Sequence, residues 1–228
     1  MTFKLLGVFP DIFTSYLNES ILGRAQTKKI INIKSYNLRD WTNDRHKTID
    51  DTPYGGGAGM LMKIEPLYKA VKAITKNKTK RKIILLSAQG NRWNQRLAKK
   101  YSQYDELVLI SGRYEGVDAR IEQLIDEEIS IGDYVLTGGE LGAMVIIDSI
   151  TRLLPGALNN PDSLNEESHA QENVLEYPQY TKPAVFKIGT KKHSVPAVLL
   201  SGNHQKIKAW RDSHRRQLKS IGRATKNH

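Results

Sequence analysis

Cysteine is absent from the sequence, which excludes disulfide bonds, thiolate metal sites and a cysteine nucleophile. Long apolar runs are absent too, although 39% of the residues are hydrophobic. A membrane-spanning helix needs a run of ~18 apolar residues, so we expect no membrane partner. The first residues enter a strand-like pattern without the architecture of a signal peptide. These absences lead us to expect a cytoplasmic protein.

Acidic residues are scarce at both ends of the chain. Residues 1–100 contain 20 Lys and Arg against 7 Asp and Glu, and residues 187–228 contain 11 against 1. The centre is the reverse, because residues 101–186 contain 4 basic and 16 acidic residues. Basic flanks are typical of polyanion binders, and an acidic centre favours a different ligand. The alternative is that lysine clusters such as residues 76–82 are solvated surface.

Short apolar runs alternate with helical patterns, which predicts an α/β domain with a largely parallel sheet covered on both faces. The predicted strands are residues 3–9, 31–36, 82–87, 107–111 and 129–136. The predicted helices are residues 65–74, 94–101, 117–125, 140–153 and 204–218. Asn203 is a good N-cap for the last of these helices.

Glycine-containing loops follow three of the predicted strands, at residues 87–90, 111–116 and 130–141. Ligands of open α/β sheets bind beyond the carboxyl ends of the strands, so these loops predict one pocket. A fourth glycine-rich loop, residues 53–60, strengthens that prediction, although any single loop is also explained as a tight turn. The loops lack the lysine of a P-loop, and no G-x-G-x-x-G motif follows the first strand. We therefore expect a neutral or cationic ligand.

Five longer motifs resemble those of the bacterial tRNA (guanine-N1)-methyltransferases, which methylate guanosine 37 beside the anticodon. The resemblance covers the chain from Val8 to Trp210 and rests on residues 53–60, 112–118, 130–141, 177–183 and 198–204. It implies a SPOUT-class enzyme that uses S-adenosyl-L-methionine (SAM), with a deep trefoil knot and an obligate homodimer. It also implies the anticodon stem-loop of tRNA as the partner of the basic flanks. An Mg²⁺ requirement stays open.

The same resemblance implies which residues form the SAM pocket. Backbone groups of the loops would bind adenine, apolar side chains would enclose it, and Glu115 would favour the sulfonium charge. An alternative for Glu115 is an ion pair with Arg113 or Arg120. The implied cofactor-binding residues are Ser87, Gln89, Gly112, Tyr114, Glu115, Ile131, Gly132, Asp133, Tyr134, Val135, Leu136, Gly138 and Gly139.

Two further residues are implied as catalytic. Methylation at guanine N1 requires a general base, and the charge that develops at O6 is stabilised by a cation. The family pattern places the arginine at Arg152, whose alternative role is a cation at a helix C-terminus. The family has aspartate as the base, where this sequence has Glu167. Glu166 and Asp162 are alternative bases, and the whole segment is alternatively a solvated acidic linker.

The resemblance and the change in composition after Leu154 predict three parts. Residues 1–156 would form the SAM-binding catalytic domain, residues 157–175 a flexible linker, and residues 176–228 a small, mainly helical tRNA-binding domain. Two other functions stay open at this point. One is a non-catalytic RNA-binding protein that keeps the fold, and the other is a SPOUT methyltransferase acting on ribosomal RNA.

Overall fold

The computed structural model describes residues 1–77, 80–160 and 163–218 of the chain. It divides the chain into two compact units, Met1–Asn159 and Asn160–His228. Each unit has its own secondary structure, and the first contains the glycine-rich loops.

Parallel strands form the centre of the first unit. Its strands are β1 (Thr2–Gly7), β2 (Asn32–Asn37), β3 (Asp50–Asp51), β4 (Leu61–Met62), β5 (Arg81–Arg92), β6 (Glu106–Ser111) and β7 (Glu127–Ser130). Among the described residues, five of them form one sheet in the order β2-β1-β6-β5-β7, and every neighbouring pair is parallel. Strands β3 and β4 form a separate antiparallel pair. The prediction of a parallel α/β sheet is confirmed.

Helices of the first unit pack on both faces of this sheet. They are α1 (Thr14–Leu17), α2 (Ser20–Thr27), α3 (Ile64–Ile74), α4 (Gln95–Tyr101) and α5 (Glu140–Thr151), with 3-10 helices at Pro10–Phe13, Leu38–Trp41 and Ala119–Gln123. Helix α4 begins where Asn94 accepts a hydrogen bond from the Leu97 N–H at 3.0 Å, which satisfies a donor that the helix leaves unpaired.

Two apolar cores lie on opposite faces of the sheet. In β6, Leu107 and Leu109 join the core beneath α2, α4 and α5, whereas Val108 and Ile110 join the core beneath α3. Successive side chains of a strand point to opposite faces, so a strand buried on both sides must be apolar throughout. This explains why β6 lacks polar alternation.

Four predicted elements are wrong in their extent. The strand predicted over residues 82–87 continues to Arg92, because it pairs with β7 again at Asn91. The strand predicted over residues 129–136 ends at Ser130, because the Ser130 hydroxyl contacts both backbone groups of Gly132 and turns the chain. The helix predicted over residues 117–125 is only a 3-10 helix at Ala119–Gln123. The helix predicted to reach residue 218 ends at Ser213.

The second unit combines short helices with two antiparallel strand pairs, which the prediction of a mainly helical domain did not include. Its elements are α6 (Ser163–Glu166), β8 (Val174–Leu175), β9 (Val185–Ile188), β10 (Lys191–Ser194), α7 (Ala197–Leu200), α8 (His204–Ser213) and β11 (Arg216–Gln217). Strand β9 pairs with β10, and β8 pairs with β11. Asn203 caps α8 by accepting from the Lys206 N–H at 3.1 Å, as predicted.

Candidate functional site

A cleft of about 420 Å³ lies beyond the carboxyl ends of β5, β6 and β7. Because these strands are parallel neighbours, the three glycine-containing loops that follow them meet at one edge of the sheet. The cleft is lined by residues of all three loops, together with Leu61, the first residue of β4 after the fourth loop. The predicted convergence of the three loops is confirmed.

The first loop is an excursion within β5. This strand pairs with β7 at Leu86, leaves the ladder, and rejoins β7 at Asn91. Gly90 returns so close to β7 that a Cβ on it would lie 2.6 Å from the Glu128 carbonyl oxygen. Glycine is therefore required for this close approach. The intervening Ser87 and Gln89 line the cleft.

The second loop is fixed by a buried ion pair. The Arg113 Nε donates to Glu140 Oε1 at 2.9 Å, and Glu140 is only 2% exposed. The guanidinium also lies 4.8 Å from the centre of the Phe9 ring, in a cation–π arrangement. Glu140 occupies the first turn of α5, where the helix dipole favours a carboxylate. This pair ties the second loop to the helix that follows the third loop.

At Gly139 the backbone of the third loop contacts the backbone of the second loop. Its N–H donates to the Gly112 carbonyl at 3.0 Å. A Cβ on Gly139 would lie 2.8 Å from both the Leu86 Cβ and the Ser111 Cα. A side chain at this position would force the two loops apart, so the narrow floor of the cleft depends on glycine.

Exposed apolar side chains of the third loop form one wall of the cleft. Val135 is 86% exposed and Tyr134 is 54% exposed, and both line the cleft together with Leu136. Exposed apolar surface that lines a cleft is typical of a ligand-binding wall, because a bound ligand removes it from water.

Carboxylates give the cleft its charge. Glu115, Glu122 and Glu128 line it, whereas its arginine, Arg113, is paired with Glu140. The alternative pairing of Glu115 with Arg113 or Arg120 is not found within the described residues, since Arg120 pairs with Asp118. This charge favours a cationic ligand.

Glu115 also connects the fourth loop to the site. Its N–H donates to the Met60 carbonyl at 3.1 Å, and a Cβ on Gly59 would lie 2.9 Å from its Oε1. The neighbouring Tyr114 has a φ of 61°. Burial, and then the carboxylate of Asp50, raise the pKa of the Tyr114 hydroxyl.

The structure brings together twelve of the thirteen residues that were predicted to bind the cofactor. Asp133 is the exception, because it is not among the residues that line the cleft and its carboxylate is paired with the Arg92 guanidinium at the surface. The residues found at the cleft are Ser87, Gln89, Gly112, Tyr114, Glu115, Ile131, Gly132, Tyr134, Val135, Leu136, Gly138 and Gly139.

Arg152 lies at the opposite end of α5 from the glycine loop. It is the C-cap of the helix, and its N–H donates to the Asp148 carbonyl at 3.3 Å. A helix of this length spans ~18 Å at 1.5 Å per residue, so Arg152 does not line the cleft of its own chain.

The predicted base and its alternatives lie in the second unit. Glu167 directly follows α6, and its carbonyl accepts from the Ala170 N–H at 3.1 Å. Glu166 accepts from the Tyr177 hydroxyl at 2.8 Å and lies 4.0 Å from Arg211, so its carboxylate is already engaged. Asp162 lies outside the described residues.

Other lining residues were missed by sequence reasoning. Leu61 and Leu86 belong to apolar segments, and Val117 begins the helix predicted over residues 117–125, so nothing local distinguishes a cleft wall from a core. Glu122 and Glu128 were visible only as members of the acidic centre of the chain. Only the three-dimensional arrangement assigns these side chains to the site.

Within residues 1–77, 80–160 and 163–218, no group of three or more His, Asp or Glu side chains is arranged to hold a metal ion. In the same part of the chain, no helix combines the length and the apolar character that crossing a membrane requires.

Comparison with known proteins adds independent evidence. The family described as tRNA (Guanine-1)-methyltransferase TrmD matches residues 1–225. A tRNA (guanine-N(1)-)-methyltransferase of Dictyoglomus turgidum is 54% identical over 91% of this chain and 82% of its own length. Relatives of the same name from Carboxydothermus hydrogenoformans and Clostridioides difficile are 55% and 51% identical, over 92% of this chain and 81% and 90% of theirs. Since the match spans nearly the whole sequence, the chain belongs to the tRNA (guanine-1)-methyltransferase family.

Proposed function

We propose that this protein transfers a methyl group from SAM to N1 of guanosine 37 in tRNA, giving N1-methylguanosine and S-adenosylhomocysteine. The observation that carries the proposal is the acidic, apolar-walled cleft at the convergence of three glycine loops in a chain of this family. The names of the relatives agree, because each is a methyltransferase that acts on guanine N1 of tRNA.

The residues at the cleft fit SAM. When bound there, SAM would supply a methyl group on a sulfonium, which is strongly electrophilic. Backbone groups near Gly112 and Gly139 would bind the adenine edge, and Tyr134, Val135 and Leu136 would cover its faces. The carboxylate of Glu115 would favour the positive sulfur over a neutral analogue, since it has no arginine partner within the described part of the chain.

Catalysis at guanine N1 requires that its proton be removed as the methyl arrives. We assign this role to the carboxylate of Glu167, an effect typically worth ~10²–10⁴-fold in rate. Negative charge then develops at O6, where the guanidinium of Arg152 would stabilise it. Glutamate carries the reacting carboxylate one methylene farther from the backbone than aspartate does, so its segment must dock at a slightly different depth.

A homodimer would explain how Arg152 reaches the methyl donor. One face of α5 exposes Leu141 and Val145, and the neighbouring Ile12 and Tyr16 extend this apolar surface. Packing two copies of α5 antiparallel across a two-fold axis would bury that surface. It would also place Arg152 of one copy near the glycine loop of the other, which the length of α5 prevents within one chain.

The finer architecture of the family belongs to the same proposal. We assign a deep trefoil knot to the cleft region. Support comes from the excursion of β5, which leaves and rejoins β7, and from the return of the third loop onto Gly112. We assign SAM binding to residues 1–156, a linker to residues 157–175, tRNA binding to residues 176–228, and a cytoplasmic location.

The proposal is tested with radiolabelled SAM and two tRNA transcripts, one with guanosine at positions 36 and 37 and one with adenosine at position 37. We expect label in N1-methylguanosine from the first transcript alone. Labelling of both transcripts, or of ribosomal RNA instead, would refute the assigned position. Tight tRNA binding with no turnover would indicate a non-catalytic RNA-binding protein.

The dimeric site is tested by mixing two impaired variants, Arg152→Ala and Gly139→Ala, at a SAM concentration that saturates the wild type but leaves Gly139→Ala largely unbound. If each site combines a cleft from one copy with Arg152 from the other, half of the randomly mixed dimers have one intact site. The mixture then regains about a quarter of wild-type activity. Activity that stays at the level of the separate variants would place both groups in the same chain.

A further inference from the structure

Strands β9 and β10 form a ribbon of the second unit whose eight residues are all exposed. They are joined by the two-residue turn Gly189–Thr190, with glycine at a φ of 60°, as a tight hairpin of this kind requires. The ribbon is therefore a well-defined surface element, and its two faces can be read from the register.

The two faces differ in chemistry. Lys187 lies directly opposite Lys192, and Val185 and Ser194 complete what we call the lysine face. The opposite face presents Phe186 across from His193 and Ile188 across from Lys191. Phe186 and Ile188 are 59% and 61% exposed, so this second face combines exposed apolar side chains with one lysine and one histidine.

The pairing of two lysines is unfavourable on its own. Side chains directly opposite each other in an antiparallel pair are ~5 Å apart at Cβ, and like charges there destabilise the pair. No acidic residue near in sequence offsets them, because residues 177–211 contain seven Lys and Arg but no Asp or Glu. An anion bound between the two ammonium groups would remove the repulsion.

We propose that the lysine face binds phosphates of the tRNA backbone, with Lys187 and Lys192 contacting successive anionic groups of one strand. The inference rests on the proposed function, since it takes the tRNA substrate as the occupant. An RNA strand lying along one face needs only the two lysines. A lipid surface would use the opposite face, where Phe186 and Ile188 lie beside Lys191, and it would leave the repulsion between Lys187 and Lys192 in place.

The test compares two neighbouring residues of the same strand that lie on opposite faces. Lys192→Gln and Lys191→Gln remove the same charge from adjacent positions. The dissociation constant of unmodified tRNA is measured at salt concentrations from about 50 to about 300 mM, because affinity that depends on phosphate contacts falls strongly over this range. Loss of one phosphate contact reduces the steepness of the plot of log association constant against log salt concentration by about 1. We expect this reduction for Lys192→Gln but not for Lys191→Gln.

The double variant Lys187→Gln/Lys192→Gln should lower the slope by about 2 and raise KM for tRNA, with kcat and SAM affinity unchanged. Its melting temperature should not fall, because the substitution removes a repulsion. Equal slopes for Lys191→Gln and Lys192→Gln, or no change in the double variant, would overturn the proposal.

Vesicles of phosphatidylcholine with phosphatidylserine provide the membrane comparison. If the double variant loses vesicle binding while its tRNA affinity equals that of the wild type, the face binds lipid and the proposal is overturned. A wild-type protein that does not bind tRNA would overturn both this inference and the proposed function. If the wild type methylates tRNA and the double variant binds tRNA with the same affinity and salt dependence, only the inference is overturned.

Discussion

Replacing Gly139 with alanine tests whether the cleft depends on contact between two loop backbones. Gly139 has a φ of −79° and a ψ of −5°, which alanine adopts without strain, so any effect comes from the added methyl group. That methyl would lie 2.8 Å from the Leu86 Cβ and the Ser111 Cα. The backbone cannot retreat without lengthening the hydrogen bond from Gly139 to Gly112.

The expected magnitude follows from the cost of overpacking, typically ~1–3 kcal/mol. The loops relieve that strain by moving apart. Binding of SAM closes the cleft and restores the strain, so the free energy of binding becomes less favourable by the same amount. Since 1.4 kcal/mol corresponds to tenfold in affinity, we expect the dissociation constant of SAM to rise by about 5- to 150-fold. Isothermal titration calorimetry with SAM or S-adenosylhomocysteine measures this change.

Gly7→Ala is the matched control, because Gly7 also faces Ser111 but at an ordinary distance. A Cβ on Gly7 would lie 3.5 Å from the Ser111 Cβ and 3.8 Å from Glu140 Oε1. We expect this variant to bind SAM as the wild type does. If Gly139→Ala also binds SAM normally and melts at the wild-type temperature, the reasoning from backbone contact is refuted.

Three further substitutions test the chemistry and the electrostatics. Glu167→Gln should retain SAM affinity but lose ~10²-fold or more in single-turnover methyl transfer; near-normal turnover would move the base to another carboxylate. Arg152→Ala should lower kcat more than SAM affinity, and a loss confined to affinity would contradict its role at O6. Burial, together with the hydrogen bond to Glu127, raises the pKa of Tyr101, so the folded state loses stability as pH rises above the ordinary tyrosine pKa of ~10. Tyr101→Phe should flatten this loss in urea unfolding midpoints measured from pH 9 to pH 11, and parallel curves for the two proteins would contradict the assignment.

Sequence patterns located most of the fold and the general position of the site. The five strands of the sheet were predicted within a few residues at their starts. The central strand β6 was the clearest of them, because a strand buried on both faces must be continuously apolar. The N-cap at Asn203 was also predictable, since capping is a contact between residues three apart. The glycine loops followed these strands, so the cleft at their carboxyl ends was predictable as well.

The elements that were predicted wrongly depend on contacts that no pattern encodes. Residues 131–136 include Ile131, Val135 and Leu136 and so continue the apolar pattern of β7, but the Ser130 hydroxyl turns the chain and leaves Val135 86% exposed. The role of Asp133 at the cofactor stays a prediction, since the structure shows only that its carboxylate pairs with Arg92 and that it does not line the cleft. At Ser130, a specific polar contact overrides the local preference of the chain.

The amino-acid sequence by itself determined the parallel α/β class, the glycine loops at the strand ends and the acidic centre between basic flanks. These properties are local, because they depend on composition and on spacing along the chain. Tertiary structure alone decided the strand order β2-β1-β6-β5-β7, the pairing of Arg113 with Glu140 and the position of Arg152 far from the cleft of its own chain. Each of these joins or separates residues across the fold, where distance depends on how the whole chain packs.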